Sequence, residues 1–232
     1  MENALNERQN TLLREIVEEH IASGTPVGSK VLYLKKCLGC SPATIRNEMG
    51  ELESLGLISQ PHISAGRIPT AKGWEYYIQN LMLETTPSKS DEQAITKSVH
   101  AGDEAQSLKQ IAKTLAELSH NAAILAFSKD DVYYTGLSNL FHAPEFSEQQ
   151  LLYRMSEVID HLDDVMAHLF DELPMGSHVL AGEHNPFDAQ CGTVVTKFSS
   201  EDGEHIMGIL GPVRMPYGYA KGILNFTTSL LS

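Results

Sequence analysis

Arg46 and Asn47 are neighbours in the stretch SPATIRNEMGELESLGLISQ, which runs from Ser41 to Gln60. An arginine guanidinium can donate two hydrogen bonds to O6 and N7 of guanine, and an asparagine amide can pair in the same way with adenine. Ser41 and Thr44 can reach a phosphate oxygen or a thymine methyl group. These side chains predict a surface that binds DNA. An alternative stays open, because any surface helix carries polar side chains and similar modules also bind proteins.

A third candidate, Arg67, follows a predicted turn. The sequence Ser64-Ala65-Gly66-Arg67 has the composition of a tight turn, which would place Arg67 at the tip of a loop. An arginine at a loop tip can enter a narrow minor groove. The alternative is an arginine that is simply solvated.

Short helices and a hairpin are predicted to position these side chains. The predicted helix caps and stops are, in chain order, Asn6, Gly24, Ser29, Ser41 with Pro42, Gly56 and Thr70. Leu57–Gln60 and Gly66–Pro69 favour two short strands. Three helices followed by a two-stranded hairpin are typical of a winged helix-turn-helix, whose third helix enters the major groove.

The remainder of the chain predicts a separate α+β domain. Residues 84–104 begin with the polar run ETTPSKSDEQ and are predicted to be a linker between domains 1–83 and 105–232. The predicted strands are Ala122–Phe127, Val132–Tyr134, Val179–Ala181, Thr193–Phe198 and His205–Leu210. Helices are predicted before, between and after these strands, including 147–173 with a break near His161.

The charge is unevenly distributed along the chain. The 232 residues have a formal net charge of −13, yet residues 20–72 hold six Lys and Arg against three Asp and Glu. Residues 81–232 hold nine Lys and Arg against twenty-one Asp and Glu. A locally basic segment suits a nucleic-acid surface. The expected phosphate contacts are Lys30, Lys35, Lys36 and Lys72.

The sequence predicts a cytoplasmic protein without a membrane partner. The apolar fraction of 42% is typical of globular proteins. No apolar run approaches the ~20 residues that a membrane-spanning helix needs. The start of the chain, MENALNERQN, lacks the basic and apolar regions of a signal peptide.

Cys37 and Cys40 have the C-x2-C spacing of a zinc site. A structural zinc site usually needs four ligands, and the sequence holds no second such pair. We therefore expect two small residues at a turn, and no metal.

Other candidate sites are equally sparse. Asp164 and His168 are four residues apart and could share a metal, but a solvated helix face is the simpler interpretation. Glu183, His184 and Asp188 cluster near a predicted strand end and are the best ligand-site candidates. No catalytic motif is present, so neither an enzyme nor a cofactor is predicted.

Long, co-linear segments resemble the HrcA family, the heat-inducible transcription repressors of bacteria. Between Arg8 and Tyr77 the similar segments are IVEEHIASGTPVGSK and SPATIRNEMGELESLGLISQPHISAGRIPTAKGWEYY. Further along they are GLSNLFHAPEF, AGEHNP and GILGPVRMPYGYA.

This resemblance implies a homodimeric repressor that binds an inverted-repeat operator upstream of chaperone genes. It also implies a GAF-like second domain and support of activity by a GroEL-type chaperonin. The recognition helix would then hold Ser41, Thr44, Arg46 and Asn47. The wing would hold His62, Ser64, Gly66 and Arg67.

The chain departs from the family pattern in its second half. The segment LAELSHNAAILAFSKDDVYYTGLSN directly joins parts that in the family flank a dimerisation insert. A reduced GAF-like domain and a different dimer are therefore expected, and Pro216 replaces the acidic residue that is usual in the family. A winged helix that binds proteins, or a small-molecule sensor, with lost or altered operator binding, is the alternative function.

Overall fold

The computed structural model describes residues 5–36, 38–99, 103–142, 156–182, 185–200 and 202–231. The chain divides into two units, Met1–Leu83 and Glu84–Ser232. Together they form a mixed α+β protein.

Helices and a two-stranded antiparallel sheet make up the first unit. In chain order they are α1 (Glu7–Ser23), α2 (Ser29–Leu34), α3 (Pro42–Ser54), β1 (Ile58–Ser59), β2 (Ile68–Pro69) and α4 (Ala71–Asn80). The predicted caps of α1, α3 and α4 are confirmed, because Asn6, Ser41 and Thr70 each accept a hydrogen bond from the backbone N–H three residues on. The predicted cap of α2 is wrong, since Gly28 occupies the cap position and Ser29 is the first helical residue.

The core of the first unit is built around one side of α3. Ile45, Met49 and Leu52 are buried as their spacing predicts. Helix α3 packs against α1, whose buried residues are Leu12, Leu13, Ile16 and Val17. Each fully buried side chain of this type stabilises the fold by about 1.5–3 kcal/mol. This packing leaves the opposite side of α3 facing solvent.

The second unit is a five-stranded antiparallel sheet with helices on both faces. Its elements are α5 (Lys89–Ser98), α6 (Glu104–Ser119), β3 (Ala122–Ala126), β4 (Val132–Thr135), α7 (Leu137–His142), α8 (Leu162–Glu172), β5 (Gly176–Ala181), β6 (Cys191–Ser200), β7 (Gly203–Pro212) and α9 (Tyr217–Leu231). The strand order is β4-β3-β7-β6-β5. All five predicted strands are confirmed, and every residue of β3 is buried because β3 lies between β4 and β7 and contacts α6 and α7.

The helical prediction for 147–173 falls partly outside the described residues. Residues 156–160 are helical, and α8 begins at Leu162, so the predicted break near His161 is confirmed. Nothing is described for residues 143–155, which include the end of the GLSNLFHAPEF motif.

The segment predicted as a linker contains helix α5 instead. Ser88 and Asp91 form a reciprocal capping box at its start, and α5 packs against α6 and α9. Ile95 is completely buried in this packing. The segment looks like a linker because a short helix that buries one narrow side keeps polar residues on the rest of its surface.

Within the described residues, no helix is both long enough and apolar enough to cross a lipid bilayer.

Candidate nucleic-acid interface

The solvent-facing side of α3 carries the predicted base-reading residues. Ala43, Arg46, Asn47 and Ser54 are exposed, and Gly50 between them is partly exposed. At about 100° of rotation per residue, these five positions span roughly 100° of the helix circumference. The structure therefore places Arg46 and Asn47 on one solvent-facing surface, together with the small side chains of Ala43, Gly50 and Ser54.

The start of α3 is fixed by its own hydroxyl groups. The Ser41 Oγ atom accepts a hydrogen bond from the Thr44 N–H at 3.2 Å and lies 3.0 Å from the Thr44 hydroxyl. Ser41 is exposed and Thr44 is half-buried. The Ser41 hydroxyl thus caps the helix and pairs with the Thr44 hydroxyl, and the positive dipole end of the helix still favours a phosphate nearby.

Two carboxylates of α3 are turned towards α1. Glu48 is buried and pairs with Arg8, and its Oε2 atom has no hydrogen-bond partner. Glu51 accepts a hydrogen bond from the Gln9 amide at 2.9 Å. Glu48 is therefore kept away from the surface that Arg46 and Asn47 occupy, whereas Glu51 is exposed one turn after Asn47 with its carboxylate paired to Gln9.

The third carboxylate of α3, that of Glu53, pairs with Arg67. Its Oε2 atom lies 3.1 Å from the Arg67 Nε atom and 2.9 Å from the Arg67 Nη2 atom. The Arg67 side chain is only 18% exposed. The backbone of Arg67 also exchanges two hydrogen bonds with Val27, at 2.8 and 2.9 Å.

The predicted position of Arg67 at a loop tip is therefore wrong. The loop between β1 and β2 is longer than the predicted turn, and Arg67 lies at its base, next to β2. The adjacent Gly66 is required for this arrangement, because a Cβ atom there would lie 2.4 Å from the carbonyl carbon of Val27. Gly66 thus has a packing role at this point.

The true tip consists of His62, Ile63 and Ser64, all exposed. Ile63 is completely exposed, and the sequence analysis had not singled it out. The Gln60 side-chain amide donates to the carbonyls of Ile63 and Ala65, both at 2.9 Å, and so supports the loop from inside. His62 and Ser64 keep the exposure that their predicted role in a wing requires.

The predicted phosphate-binding lysines differ in availability. Lys30 and Lys36 are exposed. Lys72 is exposed and donates a hydrogen bond to the Leu55 carbonyl, 3.2 Å away, at the end of α3. Lys35 lies 2.8 Å from a carboxylate oxygen of Glu19 and 3.5 Å from one of Glu15.

The assignment of Lys35 to phosphate binding stays a prediction, and in this geometry two carboxylates of α1 compete with a phosphate for its amine. Burial alone would lower the pKa of its amine, but the hydrogen bonds and charges of Glu19 and Glu15 outweigh burial and raise the pKa. Lys35 is therefore a cation that α1 already neutralises.

The other candidate sites are not assembled in the described part of the chain. Asp164 pairs with His161 at 3.6 Å and His168 with Glu172 at 3.1 Å, so Asp164 and His168 do not share a ligand position. No three metal-binding side chains come together among the residues that are described. Cys37, Glu183 and His184 lie outside those residues.

The motif residues of the second unit serve its core. Tyr217 is buried and donates a hydrogen bond from its hydroxyl to the Val213 carbonyl at 2.6 Å. Buried Asn185 donates to the Cys191 carbonyl at 2.8 Å. Burial, assisted by the charge of Asp188, raises the pKa of the Cys191 thiol to about 12. Tyr217 and Asn185 therefore contribute to the packing of the second unit.

The fold and this surface define a mixed α+β protein of two units, whose helix α3 exposes Arg46 and Asn47 on one side. Residues 77–220 match the family model described as the HrcA protein C-terminal domain. The chain belongs to the HrcA family.

Curated relatives agree with this assignment. The heat-inducible transcription repressor HrcA of Pelotomaculum thermopropionicum is 41% identical over 123 residues, which cover 52% of this chain and 35% of that protein. The protein of the same name from Thermomicrobium roseum is 45% identical over 124 residues, again 52% of this chain and 35% of that protein. The matched part of the chain thus spans about a third of the length of these relatives.

One solved structure has the same fold. It is the crystal structure of a hypothetical protein, with a TM-score of 0.80 and 20% identity, covering 99% of this chain and 98% of that chain. At this identity the similarity concerns the fold alone.

Proposed function

We propose that the chain is a sequence-specific DNA-binding repressor of heat-shock (chaperone) genes that binds an inverted-repeat operator as a homodimer. The observation that carries this proposal is the exposed face of α3, where Arg46 and Asn47 lie side by side and the carboxylates of the helix are each paired with another side chain. The names of the curated relatives support the same function.

In this proposal the first unit acts as a winged helix. The face of α3 lies in the major groove, and the loop with His62 and Ser64 lies along the backbone or the minor groove. Arg46 recognises guanine and Asn47 recognises adenine. Lys30, Lys72 and the start of α3 contact phosphates, so affinity falls steeply as salt concentration rises.

The second unit acts as a reduced GAF-like domain that holds the dimer. Two recognition helices would then lie one or more helical turns apart on the operator. The family resemblance adds a GroEL-type chaperonin that supports activity.

The acidic surplus of the second half would also weaken binding to random DNA. The last point is tested by comparing residues 1–83 with the full chain on random duplex at equal salt, where the full chain should bind more weakly.

Fluorescence anisotropy tests the proposal. The full chain is titrated onto a labelled inverted-repeat chaperone-operator duplex and a scrambled duplex at several salt concentrations. Arg46→Ala should weaken operator binding by about 5- to 150-fold, which corresponds to the loss of one bidentate base contact. Lys113→Ala is the matched control, because it removes one exposed positive charge from α6 in the second unit.

Equal, weak binding to both duplexes would refute sequence-specific recognition and favour a protein-binding module. A metabolite that raises the melting temperature without DNA would favour a small-molecule sensor. Sedimentation of the free protein tests the dimer, and a monomer at micromolar concentration would contradict that part. Added chaperonin should raise the fraction of operator bound, and no change would contradict its role.

A further inference from the structure

The loop formed by residues 60–67, called here the β1–β2 loop, is fixed to the rest of the first unit at its base. Its backbone is held to Val27 by the two hydrogen bonds of Arg67. Its side-chain connection is the Arg67–Glu53 pair, in which both Nε and Nη2 face the same carboxylate oxygen. The backbone hydrogen bonds join the loop to the chain segment between α1 and α2, and the ion pair joins the loop to the last turn of α3.

Glu53 is placed where its charge matters for the proposed function. It follows Arg46 by seven residues, which is close to two helical turns, and therefore lies on nearly the same side of α3 about 10 Å further along. Its side chain is 37% exposed. Without Arg67, this carboxylate would be an uncompensated negative charge on the side of α3 that carries Arg46.

We infer that Arg67 is a positioning residue, which fixes the β1–β2 loop to α3 and neutralises Glu53, and that it does not touch nucleic acid. This inference rests on the proposed DNA-binding function of the first unit. The guanidinium uses two of its five N–H donors on one carboxylate, and with the side chain only 18% exposed it offers little surface to a phosphate or a base. Residues of the unit other than Arg67 must then supply the positive charges that contact phosphates near the loop.

Operator binding by a double-mutant cycle separates the two roles of Arg67. The variants are Arg67→Ala, Glu53→Ala, the double variant, and the charge exchange Arg67→Glu with Glu53→Arg. If Arg67 positions the loop, Glu53→Ala weakens operator binding about 3- to 10-fold although it removes a negative charge. The double variant is then no weaker than Arg67→Ala alone, and the charge exchange restores part of the affinity.

The opposite outcome is equally clear. If Arg67 contacts a phosphate, Glu53→Ala leaves the affinity unchanged or raises it, because the guanidinium is released. Arg67→Ala then makes the plot of log affinity against log salt concentration less steep by about one unit, which corresponds to one lost phosphate contact. The charge exchange restores no affinity. Any one of these three results overturns the inference.

A readout without DNA keeps the inference testable if operator binding itself is absent. Amide hydrogen exchange of Val27 and Arg67 reports the two backbone hydrogen bonds at the base of the loop. Both single variants should accelerate this exchange by a similar factor, while Lys113→Ala leaves it unchanged. Unchanged exchange in Arg67→Ala would refute the positioning role. A wild-type protein that shows no operator binding at all would refute the proposed function instead.

Discussion

Gly50 offers a substitution whose effects on stability and on DNA binding should have opposite signs. It lies inside α3, on the face with Arg46 and Asn47, and nothing lies within 4 Å of the position that its Cβ atom would take. Glycine in a helix interior costs about 0.5–1 kcal/mol relative to alanine. Gly50→Ala should therefore stabilise the first unit by that amount. For a unit of this size, the melting temperature should rise by about 2–8 °C.

The same methyl group would lie on the surface proposed to face DNA. Gly50→Ala should therefore weaken operator binding slightly, and Gly50→Leu should weaken it by about 5- to 150-fold, which is the cost of overpacking a close contact. Thermal unfolding followed by circular dichroism gives the first quantity, and anisotropy on the operator gives the second.

Gly73→Ala is the control for the stability measurement. Gly73 is also helical, but a Cβ atom there would lie 1.9 Å from the Leu57 carbonyl oxygen, so this variant should be destabilised. A lower melting temperature for Gly50→Ala would refute the open environment of Gly50. Wild-type operator affinity for Gly50→Leu would show that this face of α3 does not enter a groove.

Three further predictions concern buried groups. Ile95→Ala should cost about 2–5 kcal/mol in chemical denaturation, because α5 is packed, whereas a true linker would tolerate it within about 0.5 kcal/mol. Burial, with the charge of Glu18 second, raises the pKa of Tyr77 to about 12, so the unfolded chain loses this proton first and stability should fall as pH rises from 10 towards 12. Tyr77→Phe should remove that part of the pH dependence in thermal unfolding, and an unchanged profile would contradict it. In a Cys37→Ser background, a thiol reagent should label partly exposed Cys40 rapidly and buried Cys191 only on unfolding. Rapid labelling of both would contradict the burial of Cys191.

Local patterns in the sequence were sufficient for most elements. The caps of α1, α3 and α4 depend on residues three positions apart, which a sequence displays directly. The exposure of Arg46 and Asn47 follows from the same periodicity, because Ile45, Met49 and Leu52 fix which side of α3 is inside. Helix caps and the buried side of a helix depend on residues close together in the sequence, and these features could therefore be predicted.

The errors concern contacts between distant parts of the chain. Arg67 is turned away from the loop tip by Glu53 and Val27. Contacts of the same kind pair Lys35 with Glu15 and Glu19. An ion pair between residues far apart in sequence leaves no periodic signal. An arginine after a glycine turn therefore looks the same whether it is paired or free.

The bridge between Val27 and Arg67 also bears on how the first unit folds. The partners are forty residues apart, and β1 and β2 pair over only two residues each. So short a hairpin has little stability by itself, and it must wait until the α1–α2 connection has closed a long loop onto it. We therefore expect the β1–β2 loop to form together with the rest of the unit, as a non-local event in its folding. A temperature that unfolds this unit would remove the loop and the α3 face in one cooperative transition, and an excised peptide would reproduce neither.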